Sequence, residues 1–299
     1  MERQDYPLLH QESSACTTHN QKRHFLLVEI QIALLIIVAS ISSYPLSQQP
    51  SMRNGIIALL AILLVVELFL KIWMMLRKYD HVWFSCRAIA ESVKTESWRF
   101  MMKTEPYDNN VSDSDAENSF ITRLEEIFHR TSDIATRLTS NVQGGSQISE
   151  HMKQIRNTSL EERKNYYTNN RIHEQFVWYS TKANWNQKRE SIWLFISWVL
   201  QIAAIIIAIV IVAFTDFNIM PIGIITTAGA GAMSWMHSKS YRELSQSYSL
   251  TAHDLSLLES RASQVTTERD LPELVLDVER TISREHSMWL ARRLGLHDT

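Results

Sequence analysis

Only two of the 299 residues are cysteines. Cys16 and Cys86 form no metal-binding spacing, so no metal ligand set is expected. Both fall on the side assigned below to a reducing cytoplasm, where unpaired thiols are expected. The formal net charge of -2 offers no basic face, and nucleic acid is not expected as a partner. Gly229 and Gly231 lack the third glycine, the preceding strand and the downstream acid of a dinucleotide fingerprint. His173-Glu174 does not extend to a zinc-protease motif, because Val177 stands where a second histidine is needed. Neither a nucleophile elbow nor a phosphate loop occurs. No segment alternates like a strand, and no small-residue cleavage site follows the first apolar run. These absences leave no catalytic residue, metal or cofactor to propose, and the chain reads as a non-enzyme.

What is present is apolar sequence gathered into four runs. The chain is 45% hydrophobic, yet outside residues 25–43, 55–75, 192–214 and 219–236 it is strongly polar. A helix rising about 1.5 Å per residue over some twenty residues crosses a hydrocarbon core of roughly 30 Å. The linker around Thr215-Asp216-Phe217-Asn218 is too short to recross a bilayer, so the last two runs predict an antiparallel hairpin. The first two, joined near Tyr44-Pro45 and Gln48-Gln49-Pro50, predict another. Basic residues flank the polar segments (Lys22, Arg23, Lys71, Arg77, Lys78, Lys188, Arg189, Lys239 and Arg242), whereas the hairpin loops carry only Arg53 and Asp216. The positive-inside bias then puts the N-terminus, the middle segment and the C-terminus in the cytoplasm. Tyr44, Trp193, Trp235 and Tyr241 fall where interfacial aromatics are expected.

The polar segments read as helices. Residues 1–22 show little periodicity and are expected to be poorly ordered at their start. Val82, Cys86, Ile89, Val93 and Phe100 recur every three or four positions in a helix that continues from the second span. The acidic run 107–118 reads as a solvated loop, and Leu124, Ile127, Phe128 and Ile134 mark a further helix that Gly144-Gly145 closes. A long polar helix over about 148–190, with a break near Asn157-Thr158-Ser159, leads into the third span. After the fourth, Tyr241, Leu244, Tyr248, Thr251, Leu255, Leu258, Ala262 and Val265 form a seam close to a heptad, packed either on its own chain or on another subunit. Asp270-Leu271-Pro272 then starts a last helix.

The expected fold is therefore all-α and integral to the membrane: two antiparallel transmembrane hairpins, four spans, and a cytoplasmic helical bundle. Residues 1–24 make a polar tail. Residues 25–145 form a first hairpin with its cytoplasmic helices, and 146–299 form a second such unit. The repeats enter from the same side, as parallel duplicates do.

The residues Arg87-Ala88-Ile89-Ala90-Glu91-Ser92-Val93-Lys94, leading to Trp98-Arg99-Phe100-Met101-Met102 and Pro106-Tyr107, resemble the SLATT family of two-transmembrane effector domains. So do Arg171-Ile172-His173-Glu174-Gln175 with Trp178-Tyr179 and Lys182-Ala183, and Tyr248-Ser249-Leu250-Thr251-Ala252-His253-Asp254-Leu255. Ile282-Ser283-Arg284-Glu285-His286 with Trp289, Ala291, Arg292 and Arg293 completes the likeness, as two tandem units. The resemblance implies an effector of bacterial antiphage, nucleotide-signalling immunity that permeabilises the inner membrane, with a nucleotide second messenger or a nucleotide-sensing protein as partner. It supplies no catalytic residues.

Glu67 lies mid-span, where a carboxylate is costly, and Lys71 follows four residues later on the same face. The two form either a structural ion pair or part of a wet axis in a homo-oligomer, with proton coupling a third possibility. Gly223, Thr227, Gly231 and Ser234 share a face of the fourth span, either for close helix packing or to line a pore. Gln201 in the third span reads as an interhelical hydrogen-bond former. Arg87, Glu91, Trp98 and Arg99 in one half, and Arg284, Glu285, His286 and Trp289 in the other, offer a signal or partner surface. Alternatively they hold the cytoplasmic helices to the membrane helices by ion pairs and packing. An ion-coupled transporter or constitutive channel, and a scaffold that recruits a soluble partner, are the competing functions.

Overall fold

The computed structural model describes residues 1–43, 50–129, 138, 146–213 and 221–294. Every regular element among them is helical. A short turn, Arg3–Asp5, precedes α1 (Leu8–Ser42), α2 (Pro50–Arg77), α3 (Tyr79–Met101) and α4 (Asp113–His129). There follow α5 (Glu150–Arg156), α6 (Leu160–Tyr167), a π-helical turn (Thr168–His173) and α7 (Glu174–Ala213). The last three are α8 (Ile222–Lys239), α9 (Tyr241–Ala262) and α10 (Asp270–Leu294). The two hairpin turns, Ile134 and Gly144-Gly145 lie outside the described residues.

Chain contacts divide these helices into two compact units, each drawn from both halves of the sequence. One comprises Lys22–Tyr79 and Asn184–Ser245; the other comprises Met1–Gln21, Asp80–Ala183 and Gln246–Thr299. The first is apolar outside as well as inside. Val212 is 82% exposed, Trp198 66% and Phe195 65%, and such surface is incompatible with water. Three helical stretches, within Leu8–Ser42, Met52–Met101 and Leu160–Ala213, are long and apolar enough to cross a membrane by length and composition. The eighteen-residue α8 is not among them, since its last turn, His237-Ser238-Lys239, is polar and glycine and threonine dilute the rest.

Inside this unit α8 runs antiparallel to both α1 and α7. Along α1 the paired positions are Gly223 with Ser43, Gly231 with Ile32, and Trp235 with Phe25. Along α7 they are Gly229 with Leu200 and Trp235 with Trp193, and Tyr241 just beyond α8 meets Trp185. Small residues allow this approach. A Cβ on Gly231 would meet Ile32 Cγ2 at 2.7 Å, whereas one on Gly223 would find Ser43 Oγ at an ordinary 3.7 Å. Gly231→Leu is accordingly expected to destabilise the helix pair by about 1–3 kcal/mol through overpacking. Gly223→Ala should be tolerated; thermal unfolding in detergent compares the two.

Aromatic and basic side chains gather at one end of these helices. Lys239 Nζ lies 3.2 Å from the Phe25 ring centroid and 4.5 Å from that of Trp235. Arg77 covers Trp73, and Arg189 covers Trp185. This is the composition of a membrane–water interface.

The duplication is visible in how the helices begin and end. In each half the first long helix, α1 or α7, runs unbroken from polar into apolar sequence. In each half the second ends at a non-glycine residue in the left-handed region: Lys78 (φ 47°) after α2 and Ser240 (φ 52°) after α8. Such residues are strained by about 1–3 kcal/mol. The expected continuous helices out of the second and fourth spans are therefore each broken, whereas α1 and α7 each include both polar and apolar sequence.

The polar unit has a conventional core. Val82, Cys86, Ile89, Val93 and Phe100 are all buried, as their period predicts. Tyr248, Thr251, Leu255, Leu258, Ala262 and Val265 are buried too, so the seam packs on its own chain. The break at 157–159 is real: Ser159 opens α6 with a capping box to Glu162.

Three expectations are corrected. Residues 1–22 are ordered: Tyr6 and Leu9 are buried, and Ser13, Thr17, Thr18 and Asn20 satisfy their polar groups on carbonyls four residues back. The acidic run is not wholly solvated either, since Tyr107 is buried and α4 already starts at Asp113. Finally, Cys16 on α1 and Cys86 on α3 are joined as a disulfide, with Cα atoms 6.0 Å apart. Adjacency across helices leaves no mark in sequence spacing. Reducing this bond is expected to cost about 2–4 kcal/mol of stability. Dithiothreitol should lower the unfolding midpoint of the native chain and leave that of a Cys16→Ser/Cys86→Ser variant unmoved.

Candidate functional site

In the apolar unit, Glu67 and Lys71 form an i,i+4 ion pair at 2.8 Å, with Glu67 only 8% exposed. Pairing with Lys71 offsets the cost of a carboxylate in an apolar helix. Gln201 is exposed on α7, away from any core position. Gly223 and Gly231 face α1, Thr227 is half-buried and Ser234 is exposed. The small-residue stripe thus serves helix packing on at least part of its length.

The polar unit holds a denser constellation. Glu279 on α10 is buried and its carboxylate accepts four hydrogen bonds. Arg171 donates from Nε (2.8 Å) and Nη2 (2.6 Å), Tyr167 from its hydroxyl (3.0 Å) and Thr95 from its hydroxyl (2.8 Å). The Arg171 side chain is 1% exposed and that of Glu279 3%. Arg171 lies in the π-helical turn, whose wider ring shifts the register of the side chains that follow; such turns recur at functional positions. Burial alone would lower the Arg171 pKa, but the Glu279 charge and hydrogen bonds outweigh it, so the guanidinium is held firmly protonated. Burial, reinforced by the Glu279 charge, pushes the Tyr167 phenol well above its ordinary value and keeps it a donor.

Beside this lies a second carboxylate, Glu96 on α3, which accepts from Tyr107 (2.7 Å) and Arg99 (2.8 Å). Arg99 also donates to the Glu105 carbonyl. Its Nε is buried with no hydrogen-bond partner among the described residues. Trp98 is fully buried one position earlier, donating to the Tyr6 hydroxyl (3.1 Å) and stacked near Tyr166 and Tyr167.

Thr95, Glu96, Arg99 and Glu279 border a cavity of about 410 Å³ between α3, α4 and α10. Each helix turns one face toward it at the spacing of a packed seam, yet the residues are mostly polar. From α3 come Ser92, Thr95, Glu96 and Arg99; from α10 come Leu276, Glu279, Arg280 and Ser283. Arg123, Glu126 and Ile127 close it from α4. Arg123 and Glu126 form a half-exposed ion pair at 2.5 Å. Three ion pairs, Arg99–Glu96, Arg123–Glu126 and Arg171–Glu279, neutralise one another, and Arg280 adds a positive charge beyond them.

Of the residues expected to form a signal surface, only Arg99 borders the cavity. Trp98 and Glu285 are not surface groups; both are fully buried, Glu285 accepting from Tyr179 (3.3 Å). Arg87 is half-buried against Tyr248, Glu91 and Glu285; burial opposes its charge, but these neighbours raise its pKa on balance. Arg284 is exposed and bonded to Asp254. The side chains of His286 and Trp289 lie outside the described residues. Sequence reasoning missed Glu279 and Arg171 as partners, and Arg123 and Arg280 as cavity cations. A carboxylate between Val275, Val278 and Ile282 on the apolar face of α10 was the available signal.

Residues 7–164 match the family model of SMODS and SLOG-associating 2TM effector domain 3. Residues 167–289 match that of SMODS and SLOG-associating 2TM effector domain 1. No curated protein and no solved structure matches the chain.

Proposed function

The chain belongs to the SLATT family, the SMODS and SLOG-associating two-transmembrane effector domains, and from that premise we propose that it permeabilises the bacterial inner membrane when triggered from the cytoplasm. In this reading it acts in antiphage defence as a homo-oligomer. Four spans cross the bilayer in two hairpins, with both termini and the polar helical unit on the cytoplasmic side, where a reducing compartment would hold the adjacent Cys16 and Cys86 as thiols. The observation that carries the reading is the antiparallel packing of α8 along α1 and α7 by way of Gly223, Gly229 and Gly231. It supports α8 as a fourth span despite its modest hydropathy, since small residues let helices associate in lipid without a hydrophobic drive.

The breaks at Lys78 and Ser240 favour α1 and α7 as the elements that transmit a change. Both run without interruption from polar sequence, where Cys16 and Tyr179 are packed, into the apolar segments. Repacking of the polar helices would turn or shift these two rods and open a path near Glu67 and Lys71. The test is dye release from liposomes that hold the full chain, with and without extract from phage-infected cells. Release on addition of infected-cell extract alone is expected. Vesicles that stay tight under every condition would overturn the proposal, and release that needs no trigger would favour a constitutive channel.

A further inference from the structure

The cavity between α3, α4 and α10 is polar where helices at this spacing usually interlock apolar side chains. We infer that it is a binding site for a small soluble phosphorylated ligand of about mononucleotide size. Its volume of about 410 Å³ falls within the roughly 300–1,000 Å³ of small-molecule pockets. The carboxylates on its wall are not bare negative charges. Glu279 is saturated by Arg171, Tyr167 and Thr95, and Glu96 is engaged by Tyr107 and Arg99.

The groups available to a ligand are the exposed ones. Arg280 is exposed. Arg123 pairs with Glu126 at a half-exposed position, and such pairs contribute little in water. A phosphate offers Arg123 a stronger, two-pronged partner than a single carboxylate oxygen. It would draw in Arg280 from α10, with Ser92 and Ser283 as hydroxyl donors from facing helices. Glu126, released, then accepts hydrogen bonds from ligand hydroxyls. That such a ligand is also the trigger rests on the permeabilising reading above; that it binds does not.

Calorimetric titration of the full chain in zwitterionic nanodiscs tests the inference, with pyrophosphate and the ribonucleoside 5′-diphosphates as probes. At least one is expected to bind saturably with a Kd of about 1 mM or tighter. Arg123→Gln/Arg280→Gln should weaken it by about tenfold or more, the loss of charge-assisted hydrogen bonds, with helix content unchanged by circular dichroism. Arg284→Gln, a neighbouring cation outside the cavity, should leave binding unaltered. If the double variant fails to fold, Arg280→Gln alone, at an exposed position, carries the comparison.

Absence of saturable binding by every probe, or equal binding by the variants, overturns the inference. Binding only to anionic phosphatidylglycerol vesicles, abolished by the same substitutions, would assign the cavity to a lipid phosphate and overturn a soluble ligand. Dye release by infected-cell extract without probe binding defeats the site but not the permeabilising function. Probe binding with tight vesicles does the reverse.

Discussion

Replacing Glu279 with glutamine is expected to cost about 3–5 kcal/mol of stability in the polar unit. The side chain keeps its shape, so packing is not the reason. Arg171 is buried with Glu279 as its ion-pair partner, and glutamine leaves that guanidinium desolvated without a counter-charge. Tyr167 and Thr95 would at the same time lose a charged acceptor for a neutral one. Removing both charges should hurt less than removing one, because a buried pair often does no better than apolar residues of similar volume. Arg171→Met/Glu279→Met is therefore expected to unfold closer to the native chain than Glu279→Gln does, a coupling that a double-mutant cycle measures. Urea unfolding in detergent, followed by circular dichroism, of the native chain, Arg171→Met, Glu279→Met and the double variant closes the cycle. A double-variant loss equal to the sum of the two single losses would show that the pair is not a coupled unit.

Trp98→Ala should cost a similar amount, about 3–5 kcal/mol, as expected for deleting a fully buried large side chain. The indole fills the centre of the polar unit against Tyr166 and Tyr167, lies near the Arg171 guanidinium, and donates to Tyr6. Trp98→Phe keeps most of the volume and loses the donor, for about 1 kcal/mol. A partner-surface role would give the opposite pattern, with stability intact and association lost. The unfolding midpoints of the two variants decide between them.

Much of this architecture was legible because period carries it. The apolar runs announced membrane helices, and the three-four spacing of α3 and α9 named their buried faces residue by residue. Asn157-Thr158-Ser159 marked the break before α6. Other features depend on partners distant in the chain, where no period helps. Arg171 and Glu279 lie 108 positions apart, and Cys16 and Cys86 lie 70 apart. Trp98 and Glu285 could be read as partner-surface groups or as packing between helices, because their neighbours are charged. Trp98 is surrounded by tyrosines and Glu285 accepts from Tyr179, contacts that only the folded chain reveals. The left-handed turns at Lys78 and Ser240 had no glycine to announce them. The cavity followed the same logic: its arginines were visible singly, but their convergence from three helices was not.

Permeabilisation is most directly tested by electrical recording from planar bilayers into which the purified full chain has been incorporated. The account predicts a silent bilayer at rest and discrete current steps once infected-cell extract is added to the compartment facing the polar unit. A bilayer that remains silent with incorporated, folded protein and active extract would contradict it.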